Sequence, residues 1–433
     1  MKTYIKVVFF LIILVPSLGF GQAIKNGKLY LNEDGSHYVK LTLNTQIWMR
    51  AGEYNPGSTI FGSPKKGGVD IGIRRYRVQF MSQITDRVFV YSQFGENNFN
   101  NIADRKQGFF VHDAMADYAV IPKKLSLGGG LSAWSGLARF ASPSVGTIMG
   151  IDAPLFQQST NDVTDQFLRK LSVFAKGKLG KLDYRVAMAQ PMAIQKSAGY
   201  NAAITTNSSF SGLPPKMQWN SYLQYQFKEQ ESNQTPYMTG TYLGTKKVFN
   251  VGAGIVYQAK AMNHIGDNLK DTVQTNMLQI AADVFYDAPL KEDGSAISIY
   301  ANASHFDFGK NYFRNQSVMN PANGTGSGSS LNGSGFGYPA IGTGNVYYTQ
   351  VGYKTKNNLI GKTSLMPYVS LQVSDLQKLQ KPMTFYSAGV NWLLAGHTSK
   401  FTVAFENRPI FNNDATQMSR KTNLVLQYQV YLN

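Results

Sequence analysis

Val39-Lys40-Leu41-Thr42-Leu43-Asn44-Thr45-Gln46-Ile47-Trp48-Met49 sets Val39, Leu41, Leu43, Thr45, Ile47 and Met49 on one face, against Lys40, Thr42, Asn44 and Gln46 on the other. A period of two is the signature of a β-strand, because successive side chains leave opposite faces of the pleat. The pattern returns as Tyr76, Val78 and Phe80 opposed by Arg75, Arg77 and Gln79, and as Trp219, Leu223, Tyr225 and Phe227 opposed by Gln218, Asn220, Gln224 and Gln226. Near the end, Thr422, Leu424, Leu426, Tyr428, Val430 and Leu432 alternate with Asn423, Gln427 and Gln429. Segments of about ten residues with one apolar and one wet face have the length that tilted, bilayer-spanning strands need.

Working outward, comparable segments fall at 39–49, 73–84, 86–95, 110–121, 124–134, 168–177, 182–190, 216–227, 248–258, 275–287, 296–308, 345–354, 365–374, 383–394, 399–407 and 421–432. The connections near 50–72, 96–109, 135–167, 191–215, 259–274, 309–344 and 408–420 are mostly long and polar or Gly-rich, whereas those between them are mostly short. Lys228–Lys247 breaks the rule: it should be a short turn and is not. About 16 strands with alternating long and short connections predict an all-β fold, a transmembrane antiparallel β-barrel. Tyr38, Trp48, Tyr91, Trp134, Tyr257, Tyr286 and Trp392 lie near predicted strand ends, where aromatic girdles sit at the membrane interfaces. A soluble sheet protein would also alternate, but several sandwich domains would bring linkers, and a propeller or β-helix would bring repeats.

Composition agrees. The 433 residues are 43% hydrophobic, 13% aromatic and 15% charged, with no cysteine. That excludes a disordered chain, a disulfide scaffold and a bundle of apolar membrane helices. Lys2 and Lys6 precede the short apolar run Val7–Val15, and Gly19-Phe20-Gly21 supplies small residues for cleavage. Residues 1–21 are therefore expected to be a signal peptide, and 22–433, beginning at Gln22, a single barrel domain exported to the outer membrane of a Gram-negative bacterium. The net charge of +17 is dispersed rather than gathered in a block or a basic helix, which points away from nucleic acid and from a surface anchor.

Parity assigns the inner wall. With apolar residues toward outer-membrane lipid, Lys40, Arg75, Arg77, Lys170 and Arg185 face the lumen, together with Asp113, Asp117, Asp183 and Asp283. An excess of base on a water-filled wall lowers the energy of an entering anion; pairing of Arg75 and Arg77 with carboxylates across the lumen would instead stiffen the wall. The connection near 135–167 is too long for a hairpin cap and is expected to fold inward. Leu137, Phe140, Ile148, Met149, Ile151, Leu155 and Phe156 would pack on the wall, Asn161 or Thr160 would cap a short helix from Asp162 toward Leu168, and Arg139 would stand at the constriction or at the surface.

No motif supplies chemistry. His37, His112, His264, His305 and His397 form no metal-binding pair, so neither a metal nor another cofactor is expected. Gly361-Lys362-Thr363 has Lys356 where a phosphate loop needs Gly. In Ser304-His305 and His112-Asp113, adjacent strand residues would point to opposite faces, so no enzyme is expected.

The strand Ile73-Arg74-Arg75-Tyr76-Arg77-Val78-Gln79-Phe80 after a long first loop, together with Lys181-Leu182-Asp183-Tyr184-Arg185, resembles the phosphate-selective porin O and P family within the outer-membrane porin superfamily. That resemblance implies a 16-stranded barrel, usually a homotrimer, with the third external loop folded into the channel and basic residues guiding anions such as phosphate. The reading is a passive channel for small hydrophilic solutes with an anion preference. The alternative is a structural or docking barrel subunit of a cell-surface complex, its pore plugged by loops.

Overall fold

Along β1 (Tyr38–Glu53), Leu41, Ile47 and Met49 are exposed while Thr42, Asn44 and Gln46 are buried. The apolar face therefore looks out and the polar face in, the reverse of a water-soluble sheet. The apolar exterior recurs around the molecule, a computed structural model that describes residues 24–25, 27–104, 108–134, 136–194, 204–212 and 216–432. The expected signal peptide and the start at Gln22 lie outside the described residues.

Fifteen further strands follow: β2 (Gly67–Gln83), β3 (Val88–Phe99), β4 (Phe110–Ile121), β5 (Leu125–Ser132), β6 (Lys170–Leu179), β7 (Leu182–Gln190) and β8 (Gln218–Gln226). The second half holds β9 (Val248–Ile265), β10 (Thr272–Pro289), β11 (Ala296–Asp307), β12 (Gly344–Lys354), β13 (Ser364–Leu376), β14 (Met383–Ala395), β15 (Ser399–Phe411) and β16 (Gln417–Leu432). Each pairs antiparallel with its neighbour, and β16 returns to β1 through Leu432↔Leu43 to Asn423↔Gly52, closing a 16-strand barrel. Closure leaves no strand edge, so the wall's backbone groups are satisfied without water. Exposed Ile71, Val173, Trp219, Val369 and Phe405 complete an apolar outer surface.

Turns 84–87, 122–124, 180–181, 290–295, 355–363 and 396–398 lie at one end, and long connections, among them 54–66, 133–169 and 308–343, at the other. β9, β10 and β15 run further than alternation alone predicts, which shrinks two connections expected to be long to 266–271 and 412–416. Residues 227–247 remain long at the short-turn end; the expected strand boundaries are right and the connection is extended.

Of the aromatics expected at the interface girdles, Tyr38 lines an internal cavity and Trp48, Tyr91 and Trp134 are buried on the inner face, 3%, 1% and 4% exposed. Their polar atoms or neighbours hold them there, as where Trp48 Nε1 donates to Gln427 Oε1 at 2.7 Å. Inside the ring, Leu137, Phe140, Ile148 and Phe156 pack with inward Val248, Val256, Phe285, Tyr300 and Phe306. Burying such a side chain contributes about 1.5–3 kcal/mol. The lumen against β9–β11 is therefore filled by an apolar core rather than lined for water.

Candidate functional site

A break in pairing decides the site. Gln46 of β1 lies opposite Arg75, but the next residue, Ile47, lies opposite Ile73. Arg74 is the extra residue of a β-bulge, which re-aims side chains locally. Arg74, Arg75 and Arg77 are consequently all buried on the inner face. Strict alternation hides Arg74 by assigning it to lipid. The signal was nevertheless present, because adjacent arginines in an unbroken strand would put one into the bilayer at a cost of about 2–4 kcal/mol near the midplane.

Asp152, from the 133–169 connection, meets two of the three. Arg74 Nη2 donates to its Oδ2 at 2.7 Å and Arg75 Nη2 to its Oδ1 at 2.5 Å. Burial alone would raise the Asp152 carboxyl, but the two guanidiniums outweigh it and hold the group below its ordinary value. Arg75 also donates to Gln46 Oε1 at 2.8 Å. Arg77 differs: it donates to the carbonyls of Tyr76 and Glu96 and to Asn97 Oδ1, and no salt bridge joins it to a carboxylate among the described residues.

These side chains line a cavity of about 460 Å³. Its walls carry Lys28, Lys40, Arg74, Arg75, Arg77 and Arg169 against Asp162 and Glu231. It extends from Tyr38 at the start of β1 to Val318 in the 308–343 connection, between β1–β3 on one side and residues of the 133–169, 227–247 and 308–343 connections on the other. Arg169 is tied to Asp113 at 3.2 Å and to the Tyr237 hydroxyl at 2.6 Å. Burial, then Asp165, pushes the Asp162 carboxyl up to about 7.

The other expected residues sit elsewhere. Lys170 faces inward but bonds to Thr160 Oγ1 at 3.0 Å and lies 3.5 Å from Asp165. Arg185 joins Asp183 at 3.1 Å and the Pro236 carbonyl at 3.1 Å. Arg139 is fully buried, grips both Glu231 oxygens at 2.7 and 2.6 Å, and lies 3.5 Å from the centre of the Phe285 ring. Lys40, Arg75 and Arg77 thus share one cavity, while Arg139, Lys170 and Arg185 are spread among ion pairs outside it.

The 133–169 segment bonds to inward side chains all around the ring. The Val145 carbonyl takes Gln46, that of Ile148 Lys400, that of Met149 Asn391, and Gln157 donates to Tyr300. Short 3₁₀ turns occupy Arg139–Ala141, Val145–Thr147 and Leu155–Gln158. No helix runs from Asp162 toward Leu168: Asp162, Phe167 and Leu168 adopt positive φ, and Asp165 gathers the chain by accepting from Thr160 Oγ1 and from the amides of Asp162 and Leu168. Ser304 is buried while His305 is turned out onto Asn345, but His112 and Asp113 are both buried, because a second bulge interrupts β4 there. Among the described residues no three His, Asp or Glu side chains gather as a metal site requires.

No protein-family model and no curated protein matches the chain. Solved structures do match its fold. OprB of Pseudomonas putida superposes with a TM-score of 0.52 at 10% identity over 94% of this chain and 100% of that one. The outer membrane channel DcaP of Acinetobacter baumannii gives a TM-score of 0.50 at 12% identity, over 93% and 99%. The narrower likeness to the phosphate-selective porin O and P family rests on the residues of β2 and β7 alone. At these identities the likeness is one of architecture, and the architecture is that of the closed 16-strand porin barrel.

Proposed function

We propose that this chain is an outer-membrane porin, a passive diffusion channel for small hydrophilic solutes that favours anions. The observation that carries the reading is the cavity along β1–β3, where six basic side chains face two acidic ones in a barrel whose outside is apolar. A fixed positive wall lowers the energy of an anion in transit and raises that of a cation. The fold likeness to an outer membrane channel supports the location and the class, and the Lys2–Gly21 leader pattern supports export. Arg74, Arg75 and Arg77 on one wall make phosphate a candidate anion, since guanidiniums bind its oxygens in pairs. Lys40, Arg75 and Arg77 set the field along the pathway, while Arg139, Lys170 and Arg185 hold the lumenal segments in place.

Purified, folded protein in a planar bilayer under a salt gradient tests this: ion-permeable steps with an anion-side reversal potential are expected. Absence of any conductance overturns the porin reading, and a cation-side potential overturns the preference. Added phosphate should reduce chloride current if phosphate is the solute. A second reading, a docking barrel with a plugged pore, draws support from the apolar packing that fills the lumen against β9–β11.

A further inference from the structure

Residues 227–247 join β8 to β9 at the short-turn end, yet they do not stay there. The Glu231 side chain is 3% exposed on one side of the lumen, taking two bonds from Arg139, one from the Tyr242 hydroxyl at 2.6 Å and one from Asn250 Nδ2. The Gln234 carbonyl accepts from Lys176 Nζ at 2.6 Å, and the Pro236 carbonyl from Arg185. The Tyr237 hydroxyl donates to Asp113 at 2.6 Å. Beyond it, Thr241 Oγ1 donates to Asp287 at 2.8 Å, and the Thr241 carbonyl meets His397 Nε2 at 2.9 Å. One connection thus reaches β4, β6, β7, β10 and the 396–398 turn, which it can do only by crossing the barrel interior.

It also joins the other lumenal segment edge to edge. Pro143 and Met238 form a parallel bridge, with the Met238 amide donating to the Ser142 carbonyl at 2.9 Å and the Ser144 amide to the Met238 carbonyl at 2.8 Å. The Thr241 amide donates to the Thr147 carbonyl at 3.1 Å, and the Thr239 carbonyl accepts from Arg139. Gly240 allows this approach: a Cβ there would lie 2.5 Å from the Thr147 carbonyl oxygen. We propose that residues 227–247 are a second constriction element, entering from the short-turn end and locked to the 133–169 segment by that bridge and by the Arg139–Glu231 pair. The two segments form one partition, which confines permeation to the basic cavity against β1–β3 and sets its size limit through Gln234, Thr235 and Tyr237, all on that cavity.

The inference rests on the channel reading, and the test separates them. The Glu229 amide already bonds to the Lys247 carbonyl, and Lys247 donates back to Glu229. Residues 230–246 can therefore be replaced by Asn-Gly, a two-residue turn suited to closing a hairpin. In bilayers the shortened barrel should conduct about two-fold more than the wild type or better, through a wider cross-section, and admit larger uncharged solutes. Thr235→Cys provides a second measurement that leaves the segment in place. In a chain without cysteine, a bulky thiol reagent should reduce its current by about half or more and leave the wild type unchanged. Unchanged conductance and size limit in the shortened barrel, or current through Thr235→Cys indifferent to the reagent, overturns the proposal. A silent wild type beside a conducting shortened barrel supports the constriction and overturns the open-channel reading; silence of both overturns both.

Discussion

Arg77 is where a change of charge can be read without a change of fold. Arg75 cannot serve, because its removal would strip Asp152 of one of two guanidiniums. Arg77 bonds only to neutral groups, the carbonyls of Tyr76 and Glu96 and the amide oxygen of Asn97. In Arg77→Gln the new amide still offers these acceptors a donor, and no carboxylate is orphaned. An ion passing about 5 Å from the guanidinium feels about 0.8 kcal/mol in bulk water. Screening over a Debye length of about 10 Å at 0.1 M salt leaves about 0.5 kcal/mol. Anion and cation feel opposite signs, so their free energies separate by about 1 kcal/mol, roughly a five-fold change in permeability ratio at 1.4 kcal/mol per decade. A dielectric below that of water inside the barrel would enlarge it. The assay is the reversal potential under a salt gradient. Arg77→Gln should move it toward the cation side and Arg77→Lys should stay near the wild type. If both variants share the wild-type potential, the cavity along β1–β3 is not the ion pathway.

Other consequences are measured in the same way. Asp162 lies on the cavity with its carboxyl pushed up to about 7, among Asp165, Arg314 and Arg74. It is charged above that pH and neutral below, so anion preference should rise as pH falls from 8 to 6, and Asp162→Asn should hold the higher preference at both. The same raised value makes the ionised group a cost to the fold that grows as pH climbs from the ordinary aspartate range to about 7. Asp152→Asn should increase anion preference by leaving Arg74 and Arg75 without their carboxylate; an unchanged potential would place those two arginines off the pathway. Glu231→Gln leaves Arg139 buried without its partner, a loss of about 3–5 kcal/mol, which denaturant unfolding of the lipid-embedded barrel would register. Burial alone would raise the Glu231 carboxyl, yet Arg139 brings it below its ordinary value. The pair's contribution is therefore present above the ordinary glutamate range and lost as pH falls through and beneath it.

Much of the wall could be read from the chain because a membrane strand must repeat one instruction in every residue pair. Leu41, Ile47 and Met49 against Thr42, Asn44 and Gln46 carry that instruction clearly, and so do Leu424 and Tyr428 against Asn423 and Gln427. It fails where a residue's surroundings are not water on one side and lipid on the other. Phe285, Tyr300 and Phe306 face inward yet are apolar, because a folded segment rather than solvent covers them. Trp48 and Tyr91 sit inside for the same reason, and composition could not separate them from girdle residues such as Trp392, which is outward and 41% exposed. Strand ends blur too: β9 continues to Ile265 through a bulge after Gln258, where alternation is interrupted and the ladder is not.

The site was legible in proportion to how local its determinants are. Parity places Lys40, Arg75 and Arg77 on one wall from their own neighbours, but Arg74 depends on a bulge, and a bulge is a property of two strands. Ion-pair partners are less local still. Arg139 meets Glu231 only where two connections from opposite ends of the barrel come together, and Arg75 meets Asp152 only where one of them reaches the wall. The visible trace of that convergence was a length: residues 227–247 are far longer than the turns beside them. That surplus chain accounts for the asymmetry of the lumen. It ties down Arg139, Lys176 and Arg185 through Glu231, Gln234 and Pro236, so the positive charge of that half is spent on fixing a partition. On β1 and β2, Arg50 is tied to Asp70 and the Val318 carbonyl and Arg74 and Arg75 to Asp152, whereas the Arg77 guanidinium bonds only to neutral groups and its field falls on the cavity it lines. On the proposed channel reading, a net charge dispersed along the sequence becomes structural on one side of the folded barrel and faces the cavity on the other.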